Sequence, residues 1–255
     1  MFGPEIIFII LGGLVAGAIN ALAGFGSIIT LYILMEVIGL PPSIANGTNR
    51  VNVFANAFAS TAGYAQNKKL KLKRTWPIIP IVIGGTILGS YYATQISDEH
   101  FRLIVRGLII LVTLLLFLNP RRWIVNESAD TKLNWWILSP IFLVLGFYAG
   151  LIQVGSGLFI LAALVLIGKR ELFEANAMKV FIIFIYSFFV IYTFHVNGLI
   201  DWKAGVILAI SQAVGAYVTS RFAPRMKDAN KWAYRLLILV VLFILGREVY
   251  TIFWA

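Results

Sequence analysis

The amino-acid sequence predicts an all-α membrane protein made of two inverted repeats, each a broken helical hairpin followed by three spanning helices. Three observations carry that prediction: an apolar composition that a soluble fold cannot bury, a set of motifs that recurs about 130 residues later, and basic residues confined to alternate loops. Hydrophobic residues make up 60% of the 255 and charged residues only 13%, with a mean hydropathy of +0.89. An ordinary soluble chain is about one-quarter charged. A bilayer is the solvent in which so apolar a surface costs nothing to expose.

The recurring motifs keep their order. Gly13-Leu-Val-Ala-Gly17-Ala-Ile-Asn20 matches Gly146-Phe-Tyr-Ala-Gly150-Leu-Ile-Gln153. Ala45-Asn46-Gly47-Thr48-Asn49 matches Ala175-Asn176-Ala177-Met178-Lys179, and Leu88-Gly89-Ser90-Tyr91 matches Val214-Gly215-Ala216-Tyr217. These offsets of 133, 130 and 126 residues divide the chain into a first repeat, 1–118, a linker, 119–134, and a second repeat, 135–255.

Each repeat reads as five apolar segments. They are 5–23, 27–39, 44–64, 76–96 and 101–118 in the first, and 135–152, 158–168, 172–196, 204–220 and 232–254 in the second. The second segment of each is too short to cross a hydrocarbon core of ~30 Å. It follows a glycine break: Gly24-Phe25-Gly26-Ser27 in one repeat, Gly155-Ser156-Gly157 in the other. Glycine weakens a helix and exposes its backbone, so the first two segments form a broken hairpin. A hairpin returns to the side it left, whether it crosses fully or is re-entrant. Three further spans give an odd number of crossings, so the repeats are inverted.

Charge orients them. Loops 65–74, 119–134, 168–171 and 221–231 hold fourteen Lys and Arg residues; the N-terminus and loops 40–43, 97–100 and 197–203 hold only Lys203. Positively charged loops stay in the cytoplasm, which places both termini outside the cell membrane. The same distribution disposes of the nucleic-acid reading that a net charge of +10 invites, because the basic residues are orientation signals in short loops. Ala21-Leu22-Ala23 resembles a signal-peptidase site, but no Lys or Arg precedes it and its segment has a counterpart in the second repeat, so it is expected to stay in the mature chain.

With no cysteine, thiol catalysis and thiolate metal sites are excluded. No carboxylate pair and no histidine pair sits mid-membrane; Glu36, Glu171 and Glu174 lie near segment ends. An intramembrane enzyme therefore lacks paired groups, and no cofactor or metal is expected. A non-transporting membrane scaffold is the remaining alternative class.

Broken helices at matching positions of inverted repeats mark the midplane substrate site of transporters. A helix that starts inside the membrane presents unpaired N–H groups and the positive end of its dipole, an anion-binding device. Ser27 and Ser156 stand at those starts, to cap the helix or bind a ligand. The alternative is that Gly24, Gly26, Gly155 and Gly157 serve only close helix packing. The third segment carries Asn46, Asn49, Asn52 and Asn56 on one slowly drifting face, with Arg50 beside them; Asn176 and Lys179 lie three apart in the second repeat. Arg50 and Lys179 either neutralise an anion or snorkel to an interface. The asparagines, with Asn20 and Gln153, either donate to a ligand or tie helices together. Arg102, Arg106 and Arg235 read as snorkelling residues, Arg247 and Glu248 as a local pair, and His195 as the end of a span.

At these residues the chain resembles the sulfite exporter TauE/SafE family. Gly17-Ala-Ile-Asn-Ala-Leu-Ala-Gly-Phe-Gly-Ser27, Pro41-Pro42 with Ala45-Asn-Gly-Thr-Asn-Arg50, Gly146-Phe-Tyr-Ala-Gly150 with Gln153, and Ala175-Asn-Ala-Met-Lys179 carry the likeness over nearly the whole chain. It implies movement of sulfite, organosulfonates or related sulfur-containing oxyanions across the cytoplasmic membrane. The family's first motif commonly reads Ala-Gly-Gly-Gly-Ser, so Phe25 in place of the middle glycine is expected to reshape that turn. The expected site is Asn20, Ser27, Asn46, Asn49, Arg50, Gln153, Ser156, Asn176 and Lys179. The expected partners are a small anion and the bilayer. An anion channel or a carboxylate transporter, a coupling proton or sodium ion, and a homo-oligomer stay open.

Overall fold

The computed structural model describes residues 5–101, 103, 104, 107, 135–226 and 246. Among them every regular element is helical: α1 (Glu5–Leu22), α2 (Ser27–Tyr32), α3 (Pro42–Gln66), α4 (Leu72–Thr75), α5 (Ile79–Ala93), α6 (Trp135–Leu151), α7 (Ser156–Ala162), α8 (Leu172–Val196) and α9 (Trp202–Phe222). The short helices α2 and α7 each widen into a π turn, Ile33–Val37 and Ala163–Ile167. A 3-10 turn, Trp76–Ile78, joins α4 to α5.

Among the described residues three stretches are long and apolar enough to cross a membrane, Leu72–Ala93, Leu172–Val196 and Trp202–Arg225. Helix α3 matches α8 in length, 25 residues each, but buries Asn46, Thr48, Asn49, Arg50, Asn52 and Asn56. Polar groups at bilayer depth face a protein interior, and α3 does that. The chain is an integral membrane protein. The predicted fifth segments, 101–118 and 232–254, lie outside the described residues but for a few positions, as do the linker 119–134 and Arg102, Arg106, Arg235, Arg247 and Glu248.

Local backbone geometry recurs 130 residues on. Helix α3 follows Pro41 (φ −54, ψ 145) and α8 follows Glu171 (φ −61, ψ 144); their C-caps are Asn67 (φ −90, ψ 9) and Asn197 (φ −91, ψ 5). Gly39 and Lys169 both take left-handed dihedrals, φ 78 and φ 51. After the π turns, Leu40 N donates to Leu34 O at 2.9 Å and Arg170 N to Leu164 O at 3.1 Å. Packing is reciprocal as well: α1 runs along α9, α5 along α6, and α3 against α8 and α9.

The loops sort to two ends. At one, Lys69 pairs with Glu171 and Arg74 with Glu174, each at 3.0 Å. There Asn67 Nδ2 donates to Arg221 O at 2.8 Å, and Arg225 Nε donates to Asn67 Oδ1 at 3.2 Å. At the other end, Ser43 N donates to Asp98 Oδ1 and Asp201 N to Thr48 Oγ1, both at 2.8 Å. Three of the basic loops thus share one end, and the three loops with Lys203 as their sole cation share the other.

The two helix breaks touch. Gly24, at φ 79, lies so close to the second break that a Cβ there would meet Gly157 C and Leu158 N at 2.5 Å. Gly39 has nearly the same φ, 78, but open space around it. Gly24→Ala and Gly39→Ala therefore share the cost of left-handed backbone, and only Gly24→Ala adds a backbone clash. We expect Gly24→Ala to lose about 1–3 kcal/mol more stability, read as thermal unfolding in detergent. Equal losses would mean that the breaks are not in contact.

Candidate functional site

Asn20, Ser27, Asn46, Asn49, Arg50, Gln153, Ser156, Asn176 and Lys179 are all buried, none more than 6% exposed. They gather where α1 and α6 end and α2 and α7 begin, with α3 and α8 alongside.

Arg50 answers the snorkelling alternative directly. It is 1% exposed, and its guanidinium turns inward to the end of α6. Nη1 donates to Ala149 O at 2.5 Å and Gln153 Oε1 at 2.8 Å; Nη2 donates to Gly150 O at 2.8 Å and Asn46 Oδ1 at 3.2 Å. The Phe194 ring lies 5.3 Å from its centre. The last carbonyls of a helix have no intrahelical partner and carry the negative end of its dipole. In lipid no water can satisfy them, so a forked cation is the natural cap.

Lys179 does the same for α1. It is wholly buried, and Nζ donates to Asn20 O at 3.1 Å, Ala21 O at 3.2 Å and Asn176 Oδ1 at 2.7 Å. Snorkelling is overturned here too. Each cation crosses the molecule: Arg50 of α3 holds α6, and Lys179 of α8 holds α1. Among the described residues neither has a carboxylate within ion-pair distance.

The serines do not cap. Gly26 and Gly155 occupy the N-cap positions, and Ser27 and Ser156 are the first helical residues. Ser156 Oγ instead donates to Gln153 O at 3.0 Å and accepts from Gln153 Nε2 at 2.9 Å. Tyr186 OH, unforeseen from the sequence, lies 3.3 Å from Gln153 Nε2. At the first break the left-handed residue is Gly24, and the Phe25 ring is buried in the apolar cluster of α1 and α2.

The asparagines divide their work. Asn46 Nδ2 donates to Leu151 O and Asn56 Nδ2 to Gly17 O, each at 3.1 Å, tying α3 to α6 and α1. Asn49 Oδ1 accepts from Thr30 Oγ1 at 2.6 Å, another residue the sequence reading missed. Among the described residues several buried donors are left without an acceptor, Ser27 Oγ, Asn49 Nδ2, Arg50 Nε, Asn176 Nδ2 and Gln212 Nε2, and two buried acceptors without a donor, Asn52 Oδ1 and Gln212 Oε1. Gln212 lies on α9 beside α1; a Cβ on Gly17 would meet its carbonyl oxygen at 2.3 Å.

No three of His, Asp and Glu come together as a metal site would require, among the described residues. A groove between α5 and α6, lined by Ile81, Trp136, Ser139, Pro140 and Leu143, shares no residue with the polar cluster.

The model of the family described as "Sulfite exporter TauE/SafE" matches residues 9–249, both breaks and both caps included. The chain belongs to the TauE/SafE family. A probable membrane transporter protein, ORF9, of Sinorhizobium sp is 28% identical over 91% of this chain and 88% of its own length. A probable membrane transporter protein of Haemophilus influenzae is 26% identical over 95% and 93%. The probable membrane transporter protein YfcA of Escherichia coli K12 is 24% identical over 82% and 77%. No solved structure gives a significant match. This TauE/SafE chain is a membrane transporter by family, and its polar centre is the feature that sets it apart from an apolar bundle.

If the fork of Arg50 is what holds α6, charge alone cannot replace it. Arg50→Lys keeps one positive charge and loses the paired donors. It is expected to cost about 1.5–3 kcal/mol of stability, while Tyr186→Phe, which removes one neutral bond, costs about 0.5–1.5 kcal/mol. Thermal unfolding of the two variants decides it; an Arg50→Lys protein as stable as the parent would refute the capping role.

Proposed function

We propose that the protein moves a small oxyanion, sulfite or an organosulfonate by preference, through a site at the meeting point of its two helix breaks. The observation that carries this reading is the surplus of buried donors. Among the described residues Ser27 Oγ, Asn49 Nδ2, Arg50 Nε and Asn176 Nδ2 have no acceptor, against two buried acceptors without a donor, Asn52 Oδ1 and Gln212 Oε1, and the two buried cations have no carboxylate within ion-pair distance. Hydrogen-bond donors and positive charge in excess are what an anion requires. A cation or a hydrophobic solute would need acceptors or apolar lining instead. The family's description names sulfite; its shape, a compact oxyanion with several acceptors, suits such a cluster. Asn20, Asn46, Gln153 and Ser156 then act by holding the donors and breaks in place, and Lys179 and Arg50 supply the potential.

The architecture we infer is two inverted repeats, 1–118 and 135–255, joined by the linker 119–134. The recurrence of local geometry at 130 residues and the reciprocal packing of α1 with α9 and α5 with α6 support it. The basic end would face the cytoplasm, leaving both termini outside the cell membrane. Single cysteines can be placed in this cysteine-free chain without background. Asn197→Cys should react with an impermeant thiol reagent in intact cells, and Lys71→Cys should react only after permeabilisation. The opposite pattern would invert the topology.

The site is tested by turning a donor into a negative acceptor. Asn49→Asp and Asn176→Asp are near-isosteric, and each places a carboxylate where an anion would sit. Each is expected to weaken sulfite binding to the purified protein by at least 10-fold, the loss of one charge-assisted contact being about 10- to 150-fold. Asn197→Asp, exposed at the end of α8, should change it little at matched ionic strength. Binding unchanged in all three would remove the cluster from the anion's path.

A further inference from the structure

We propose that the Lys179 ammonium is a tethered stand-in for an alkali-metal cation, and that the oxygens holding it form a latent Na⁺ or K⁺ site at the end of α1. The inference rests on the transporter reading for its meaning, which is that this protein needs no bound alkali cation at that break.

The cage contains only neutral oxygens. Asn20 O, Ala21 O and Asn176 Oδ1 lie 2.7–3.2 Å from Nζ. Three protons of an ammonium meet three acceptors, so its donor capacity is filled. Unwound carbonyls and the C-terminal ends of broken helices are the groups that coordinate sodium ions in transporters of this architecture. Here the break after α1 offers such carbonyls, and α8 delivers a covalently attached cation to them. Tyr64 OH donates to Ala21 O at 3.1 Å from the α3 side and helps to fix the cage.

Arg50 shows why the argument concerns Lys179 alone. Its four bonds spread over two nitrogens of a planar fork, and no spherical ion reproduces that pattern. A lysine ammonium is a compact point charge, which an alkali ion can imitate. Removing the side chain takes one donor each from Asn20 O and Ala21 O, which keep Gly24 N and Tyr64 OH, and leaves Asn176 Oδ1 with none, a costly condition in an apolar medium that a bound cation relieves.

The test is a cation requirement created by mutation. Purified Lys179→Ala would be unfolded thermally in N-methylglucamine chloride, NaCl and KCl at one ionic strength. We expect a rise of roughly 5–10 °C when Na⁺ or K⁺ reaches about 100 times its Kd. The parent protein and Lys179→Met, whose side chain fills the cage without charge, should show no difference among the three salts. Lys179→Ser, which adds an oxygen to the cage, should respond like Lys179→Ala and serves if the alanine variant does not fold. No response in either, or an equal response in the parent or in Lys179→Met, would overturn the proposal. No sulfur oxyanion enters the measurement, so the result stands apart from the outcome of the sulfite titration.

Discussion

A helix that stops inside a bilayer leaves its last carbonyls with nothing to accept from, and the rest of this structure is arranged around two such stops. Water is absent at that depth, and each bare carbonyl would cost several kcal/mol. The chain ends α1 and α6 there and meets the cost chiefly with two cations, Lys179 on Asn20 and Ala21 and Arg50 on Ala149 and Gly150, helped by Tyr64 on Ala21 and Asn46 on Leu151. Because each cation comes from a helix distant in sequence, 99 and 159 residues from the carbonyl it holds, the caps are also cross-links. They bind α1 to α8 and α6 to α3, and they hold Gly24 against Gly157. The polar residues of α3 are in this sense a consequence: once a break is buried, the neighbouring helix must supply donors.

The two stops are not equivalent. Around the second, the network is closed but for Arg50 Nε: Arg50 makes four bonds, Gln153 bonds Ser156, and Tyr186 closes on Gln153. Around the first, Ser27, Asn49 and Asn176 keep free donor groups. A satisfied network is rigid and an unsatisfied one holds a reserve of binding energy. Under the proposed anion reading, the larger share of unpaired donors, Ser27, Asn49 and Asn176 against Arg50 Nε alone, favours the start of α2 over the start of α7 as the receptive face. The π turns that follow both short helices fit this setting, since such local widenings interrupt a regular helix where a site must be shaped.

Much of this was legible in the sequence. Two apolar segments too short to span, each preceded by glycines, marked the breaks, and Asn46 matching Asn176 at 130 residues marked the helices beside them. The apolar segments 44–64 and 172–196 placed α3 and α8 to within about two residues. The wiring was not legible. Nothing local says that Lys179 serves Asn20, 159 positions away, or that Arg50 points inward, because a cation two turns from a helix start satisfies either geometry. Ser27 and Ser156 looked like caps because serine favours that position, but the glycines before them took it. Thr30, Tyr186 and Gln212 carried no signal, being ordinary residues made polar partners only by the packing of distant helices.

Burying two cations with no counter-carboxylate among the described residues is costly, and the cost bears on what the site is for. A helix C-terminus offers roughly half an elementary negative charge, so each cap is neutralised only in part. If stability alone were selected, an apolar or amide cap would serve without that penalty. The remaining positive potential is concentrated within the cluster, beside donors that have no acceptor. A bound anion would relieve both deficits together, the uncompensated charge and the unpaired N–H groups. The same features that cost stability are those that would make an oxyanion's binding favourable, and they lie beside the contact of the two breaks.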